Sequence, residues 1–259
     1  MSESQNPLLK IKIPGRTFQL PSRAALYDNG EVEDPNGEVH VHPMSALVEI
    51  NLKNPDLLFN GKALEAVVSE CAPSIKKPLE LFGRDADALM FFLRLTTYGS
   101  EYRVEVLHDC AEAKQHSYIV NLEELISKMK FLDPTTIEDR RRVVLQTGEV
   151  VITRPLKFKD FIELFHSTGA KKQFDIEDIK KIALVNLLGM IERVNDVTDS
   201  KFIEEWLRTL TSPQVNRIQE CANALNDWGP EQVVTLTCKD CGKEMKVELP
   251  LNPISFFTE

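Results

Sequence analysis

The chain has 259 residues, of which 42% are hydrophobic and 27% charged. That is enough apolar material for one large domain or two small ones with a sizeable core, and it excludes a disordered, collagenous or disulfide-dense chain. With 31 Lys and Arg against 40 Asp and Glu, the formal charge is −9, the wrong sign for a protein that lives on phosphate backbones.

The longest strongly apolar run, 89–93, falls far short of the roughly 20 residues that a membrane span requires. Residues 1–8 carry neither a basic nor an apolar signal region, so the chain is expected to stay in the compartment that makes it, with no membrane span. Five cysteines, only two of them close together, read as reduced thiols rather than a secreted disulfide framework.

In chain order, residues 11–27 alternate apolar positions with turn formers and run into two turn clusters, Asp28-Asn-Gly and Asp34-Pro-Asn-Gly. Val39 and Val41 alternate with His40 and His42, which predicts a short strand ended by Pro43. Helices are predicted over 63–71 and 84–97; the second is apolar all round, the mark of a buried helix, and is expected to be the spine of the first half. An alternating strand over 102–106, a second over 117–120 and a short helix over 122–131 follow. The charged, aperiodic stretch 133–142 is the expected boundary between halves.

The second half opens with a strand over 150–153, stopped by Pro155. Four helical stripes follow. Phe158, Phe161, Ile162 and Phe165 form the first; Ile176, Ile179, Ala183, Leu187, Met190, Ile191 and Val194 the second. Phe202, Ile203, Trp206, Leu207 and Leu210 form the third, and Val215, Ile218, Cys221, Ala222, Leu225 and Trp228 the fourth. Ser212-Pro213 reads as a helix start and Gly229-Pro230 as a stop. Isolated amphipathic helices are marginal, so these stripes must bury against each other or against a partner. Residues 233–249 read as strand, Cys-x-x-Cys-Gly turn, strand. The tail 250–259, with two prolines and two phenylalanines, is not a helix and is expected to dock; Ile254, Phe256 and Phe257 are its candidate partner-binding residues.

A weak internal repeat links 104–122 with 234–249, each after a helical block. The expected fold class is therefore α+β: two similar, mainly helical halves, 1–132 and 133–259, each ending in a small cysteine-bearing β-hairpin of zinc-ribbon type.

Cys238 and Cys241, two residues apart on a tight turn, can take adjacent corners of a tetrahedron, and Gly242 allows the positive φ such a turn uses. A closed zinc site needs four ligands. The matching hairpin offers Cys110, with His108 and His116 nearby. One structural zinc held by Cys238, Cys241, Cys110 and His108 thus stands beside the plainer reading of a turn with reduced thiols and no cofactor. Thiol-disulfide chemistry fits the context poorly, because such cysteines sit at a helix N-terminus and this turn leads into a strand; it would require a depressed thiol pKa at Cys238. His40 and His42 read as surface histidines on an edge strand, His166 as a cation at a helix C-terminus, and Cys71, Cys221, Trp206 and Trp228 as core. Arg140-Arg-Arg142 reads as a solvated link. Phosphate-loop, nucleophile-elbow and zinc-protease motifs are absent from the sequence, so no enzyme is expected.

Leu20-Pro-Ser-Arg-Ala-Ala-Leu-Tyr27, Gly37-Glu-Val-His-Val-His-Pro-Met44, Phe59-Asn-Gly-Lys-Ala-Leu64, Gly83-Arg-Asp-Ala-Asp-Ala-Leu89 and Tyr98-Gly-Ser-Glu-Tyr102 resemble the baseplate hub family of T-even-type contractile-tailed phages. The ending is more specific still: Asp227-Trp-Gly, the Cys238-x-x-Cys241-Gly hairpin, then Val247-Glu-Leu-Pro-Leu-Asn-Pro-x-Ser-Phe-Phe257. The resemblance implies a non-catalytic tail protein, either a hub subunit or a hub-assembly chaperone. It would bind other hub proteins or the tape-measure protein, in the host cytoplasm during assembly and in the virion baseplate if retained. It also implies a Cys-x-x-C knuckle in both hairpins, holding one zinc. Here Leu107 stands where the first knuckle's first cysteine would fall, leaving Cys110 with His108 or His116 as a substitute. The other readings are a zinc-ribbon nucleic-acid binder, against which the charge argues, and a thiol-disulfide oxidoreductase.

Overall fold

The computed structural model describes residues 14–52, 54, 57, 61–110, 114–168, 175–249, 251, 256 and 257, leaving aside the side chains of Phe165, Ser167 and Thr168. Its elements run β1 (Arg16–Gln19), β2 (Glu38–Val41), α1 (Ala46–Leu52), α2 (Lys62–Cys71), a 3-10 turn (Pro78–Glu80), α3 (Gly83–Tyr98), β3 (Glu101–Leu107), β4 (Gln115–Asn121), α4 (Leu122–Ser127), α5 (Ile137–Arg140), β5 (Arg142–Val144), β6 (Val150–Thr153), α6 (Phe158–Thr168), α7 (Ile176–Gly189), β7 (Ile191–Val194), α8 (Ser200–Leu207), α9 (Ser212–Ala224), β8 (Val233–Thr237) and β9 (Glu244–Glu248). The fold is α+β, with small antiparallel sheets set among helices: β1-β2, β3-β4, β5-β6-β7 and β8-β9.

α3 is the spine of the first core. Its buried residues, Ala86, Ala88, Leu89, Phe91, Phe92, Leu93 and Leu95 among them, point in every direction from the axis, so the helix must be covered on all sides. β1 supplies Phe18, whose ring stacks on Phe92 at 4.3 Å, and β2 buries Val39 and Val41 while exposing His40 between them. The register Arg16↔Val41 to Gln19↔Glu38 fixes that alternation.

A second core forms on the β5-β6-β7 sheet, where Val143, Val151, Ile191 and Val194 pack with Leu187, Ile203, Leu207 and Ile218 from α7, α8 and α9. Asp175 starts α7 with a reciprocal capping box to Asp178, and Thr211 rather than Ser212 caps α9, paired with Gln214. Two strands differ from the sequence expectation. Ile191 and Val194 continue the helical spacing of 176–190, yet α7 stops at Gly189 and these residues pair antiparallel with β6. The link expected over 133–142 ends in a strand, since Arg142 with the following Val143 and Val144 pairs with β6 on its other edge, and the link itself contains α5. Nonlocal pairing overrides local spacing at both places.

The C-terminal hairpin follows the second core in sequence but packs in the first. Val234, Cys238, Met245 and Leu249 join a core built mainly from residues 20–129. The crossing is made at Trp228-Gly229-Pro230. Lys130 and Gly229 exchange backbone hydrogen bonds, the Gly229 N–H donating to the Lys130 carbonyl at 2.7 Å. Arg84 of α3 donates from Nε to the Trp228 carbonyl at 2.7 Å and from its terminal nitrogen to the Pro230 carbonyl at 3.1 Å. Gly229 sits at φ +93°, and a Cβ there would lie 3.1 Å from Arg84, so the turn requires glycine. Phe82, Leu132, Ile137, Leu225 and Trp228 fill the seam between the two cores.

Candidate metal centre

Two hairpins meet end to end. In β3-β4, Tyr102, Val104, Tyr118 and Val120 face the first core and the opposite face is solvated. The chain leaves β3 at Leu107 and at once presents His108 and Cys110, held in a tight turn by the Cys110 N–H donating to the His108 carbonyl at 2.9 Å. In β8-β9 the turn closes with the Cys238 N–H on the Lys243 carbonyl at 2.9 Å and the Gly242 N–H on the Cys238 carbonyl at 3.0 Å. Gly242 adopts φ +70°, the left-handed conformation that this turn was expected to use.

Three polar contacts align the hairpins. The Lys239 N–H donates to the Tyr118 hydroxyl at 3.2 Å, the Lys239 ammonium donates to the Ser117 carbonyl at 2.6 Å, and His116 Nε2 lies 2.7 Å from Asp240 Oδ2. They bring the donor atoms of His108, Cys110, Cys238 and Cys241 within 4.8 Å of one another. His108 Nδ1 lies 3.5 Å from Cys241 Sγ. With Zn–S near 2.3 Å and Zn–N near 2.0–2.1 Å, the corners of a tetrahedral site stand about 3.5–3.8 Å apart, so this donor set fits a zinc ion. His116, the other histidine considered, is engaged with Asp240 instead.

The turn also prepares one sulfur as thiolate. The Cys238 thiol is held down to about 6, chiefly by the Cys241 N–H, with the Asp240 N–H adding to it against loss of hydration. At Cys241 the Lys243 N–H favours the thiolate, but loss of hydration and the charge of Cys238 outweigh it and the thiol rises. The depression that dithiol chemistry needs is thus present at Cys238. Its cause is a set of backbone N–H groups in a β-turn and not a helix terminus, and Cys238 is only 1% exposed, whereas a redox thiol must be reached by its partner.

The tail residues Phe256 and Phe257, expected to meet a partner, are buried within their own chain at 0% and 1% exposure; Ile254 lies outside the described residues. Phe256 packs edge-on against Phe91 at 5.5 Å and beside Tyr102 at 5.0 Å. The buried Arg94 guanidinium donates to the Phe256 carbonyl and lies over the Tyr98, Tyr102 and Phe256 rings. Tyr98 donates to the Phe257 carbonyl at 3.1 Å. An arginine inside an apolar helix, one turn from Tyr98, was the available sequence signal for this clamp.

Between the two cores lies a polar cleft of about 550 Å³ lined by Arg141, Arg154, Lys157, Lys159, Glu138 and Glu192 among others. Each of its cations is paired: Arg141 with Glu138 and Glu192, Arg154 with Asp160, Lys157 with Glu31 and Glu80, Lys159 with Glu80. Loss of hydration would raise Glu80, but hydrogen bonds and charge from Lys157 and Lys159 overcome it and hold the carboxyl at about 2. The cleft is therefore an ion-pair seam, and its lining contains no Ser, Cys or His.

A family model described as T4 bacteriophage base plate protein matches residues 40–258, most of the chain and both hairpins. The chain belongs to that family. No curated protein and no solved structure matches it. For this baseplate protein the family indicates a structural, non-enzymatic part in the phage tail, with other phage structural proteins as partners. Among the described residues no helix is long and apolar enough to cross a membrane.

Proposed function

We infer that this baseplate protein is a hub subunit or a factor that assembles the hub, and that it works by protein–protein contact with hub neighbours or the tape-measure protein. The observation that supports this is the uncovered apolar face of α7. Ile176 and Ile179 are 72% and 56% exposed, although helical stripes of this kind gain stability only when buried. Further along α7, Leu184, Leu187 and Leu188 line a groove of about 880 Å³ together with Glu163, Lys180, Glu204 and Arg208. Apolar residues lined up with charges of both signs suit a helix or loop of another structural protein better than a nucleic acid, which would want one sign of charge. The knuckle is too buried at Cys238 to favour the oxidoreductase reading.

The test pairs the wild-type chain with an Ile176→Asp, Ile179→Asp double variant, each used to capture purified baseplate and tape-measure proteins of the same phage. Wild type is expected to retain at least one of them. The variant is expected to lose it while keeping its melting temperature, since exposed substitutions stay within about 0.5 kcal/mol. Retention of no tail protein by the wild type overturns the reading. Mass spectrometry of purified virions separates its two forms, a subunit being present and an assembly factor absent.

A further inference from the structure

Two hairpins whose donor residues lie more than a hundred positions apart in sequence bring one imidazole and three thiols together. We propose that His108, Cys110, Cys238 and Cys241 bind one structural zinc ion, and that this ion fastens the C-terminal hairpin to the hairpin of the first core. The donor chemistry selects the metal: thiolate with imidazole suits zinc, whereas calcium and magnesium take oxygen ligands. Four protein donors close the coordination sphere, which marks a structural site rather than a catalytic one. His108 takes the corner that a second cysteine would fill, reaching it through Nδ1, 3.5 Å from Cys241 Sγ.

The fold gives the ion something to hold. β8-β9 is a sheet of two strands, and a two-stranded hairpin is marginal in water without further support. Its buried apolar anchors besides Cys238 are Val234, Met245 and Leu249, with Leu236 and Val247 packed half-buried beside them, and its polar links to β4 are the three made by Lys239 and Asp240. A cross-link closing so long a loop restricts the unfolded chain most, and the reducing compartment expected for this chain disfavours a disulfide in that role. The proposal stands apart from the α7 docking face, so the two can fail separately.

Metal analysis of the full chain, purified under reducing conditions and dialysed against dilute zinc, is expected to find about one zinc per chain. His108→Ala should weaken zinc affinity at least about tenfold and His108→Cys should restore it, while His40→Ala, on the exposed face of β2, leaves it unchanged. Cobalt loaded in place of zinc should show the visible bands of a tetrahedral thiolate site. Chelation should accelerate hydrogen exchange over 233–249 and leave 143–218 as before. Wild-type protein that takes up no zinc overturns the site, as does a His108→Ala chain that binds like wild type. A bound ion whose removal leaves exchange in 233–249 unchanged overturns the fastening role.

Discussion

Asp85 places a fully buried carboxyl in the first turn of α3. It accepts the Ser22 N–H at 3.0 Å and the Tyr27 hydroxyl at 2.8 Å, and Tyr27 in turn accepts the Phe82 N–H at 2.8 Å. Burial pushes the carboxyl up to about 6 in spite of the hydrogen bonds from Ser22 and Tyr27, and burial with the nearby Asp85 charge pushes Tyr27 well above its usual range. An unfolded aspartate titrates near about 3.9, so folding favours the protonated form. The stabilisation is complete below that value and is lost as pH rises through about 6. Between pH about 4.5 and about 7.5 this amounts to about 2 kcal/mol. Asp87, raised to about 6 by burial against Arg84 and Gln232, adds a slope of the same sign to wild type and variant alike. Denaturant unfolding across that window should therefore show wild type losing about 2 kcal/mol more than Asp85→Asn. Parallel curves would show that the buried carboxyl does not govern this part of the pH dependence.

At the level of elements, the tail behaves as part of the core. Phe256 touches Phe91, Tyr102 and Phe257 and is fully buried, so Phe256→Ala should cost about 3–5 kcal/mol by leaving a cavity. The shift in denaturant midpoint of the isolated chain measures it; an unchanged midpoint would return the ring to a role at a partner surface. No local pattern could have placed that ring, because its cover comes from α3 and β3, some 150 residues earlier. The helices were legible for the opposite reason: α3 shows its burial in its own run of apolar residues, and α8 and α9 in a 3.6-residue stripe. β7 was not, since Ile191 and Val194 extend the spacing of α7 and only pairing with Thr153 and Val151 of β6 makes them a strand. The tight turn was legible in Cys238-x-x-Cys241-Gly242, and Cys110 and His108 stood in the sequence as candidates to meet it. That His108 reaches Cys241 while His116 turns to Asp240 depends on how two hairpins dock, which spacing does not encode.

For the molecule as a whole, the chain leaves the first core at the seam, builds the second, and returns through Trp228-Gly229-Pro230 to finish the first. Arg84 is the side chain that holds this return, beside the Lys130–Gly229 backbone pair. It binds two carbonyls there and lies 3.6 Å from Asp87, which also accepts from Gln232 at 2.7 Å. Removing the guanidinium leaves both carbonyls and Asp87 without those donors, a loss of about 1–3 kcal/mol for buried groups. The effect should be local in a diagnostic way. Residues 233–248 depend on the return for their place in the first core, whereas the β5-β6-β7 sheet and α9 make their contacts within the second. Arg84→Ala is accordingly expected to raise amide exchange in β8 and β9 while protection in β6 and α9 stays near that of wild type, since opening energies follow local cooperative units. Acceleration spread evenly over all of these strands and helices would mean that the two cores open as one, and that the seam of Phe82, Leu132, Ile137, Leu225 and Trp228 couples them more tightly than the arginine does.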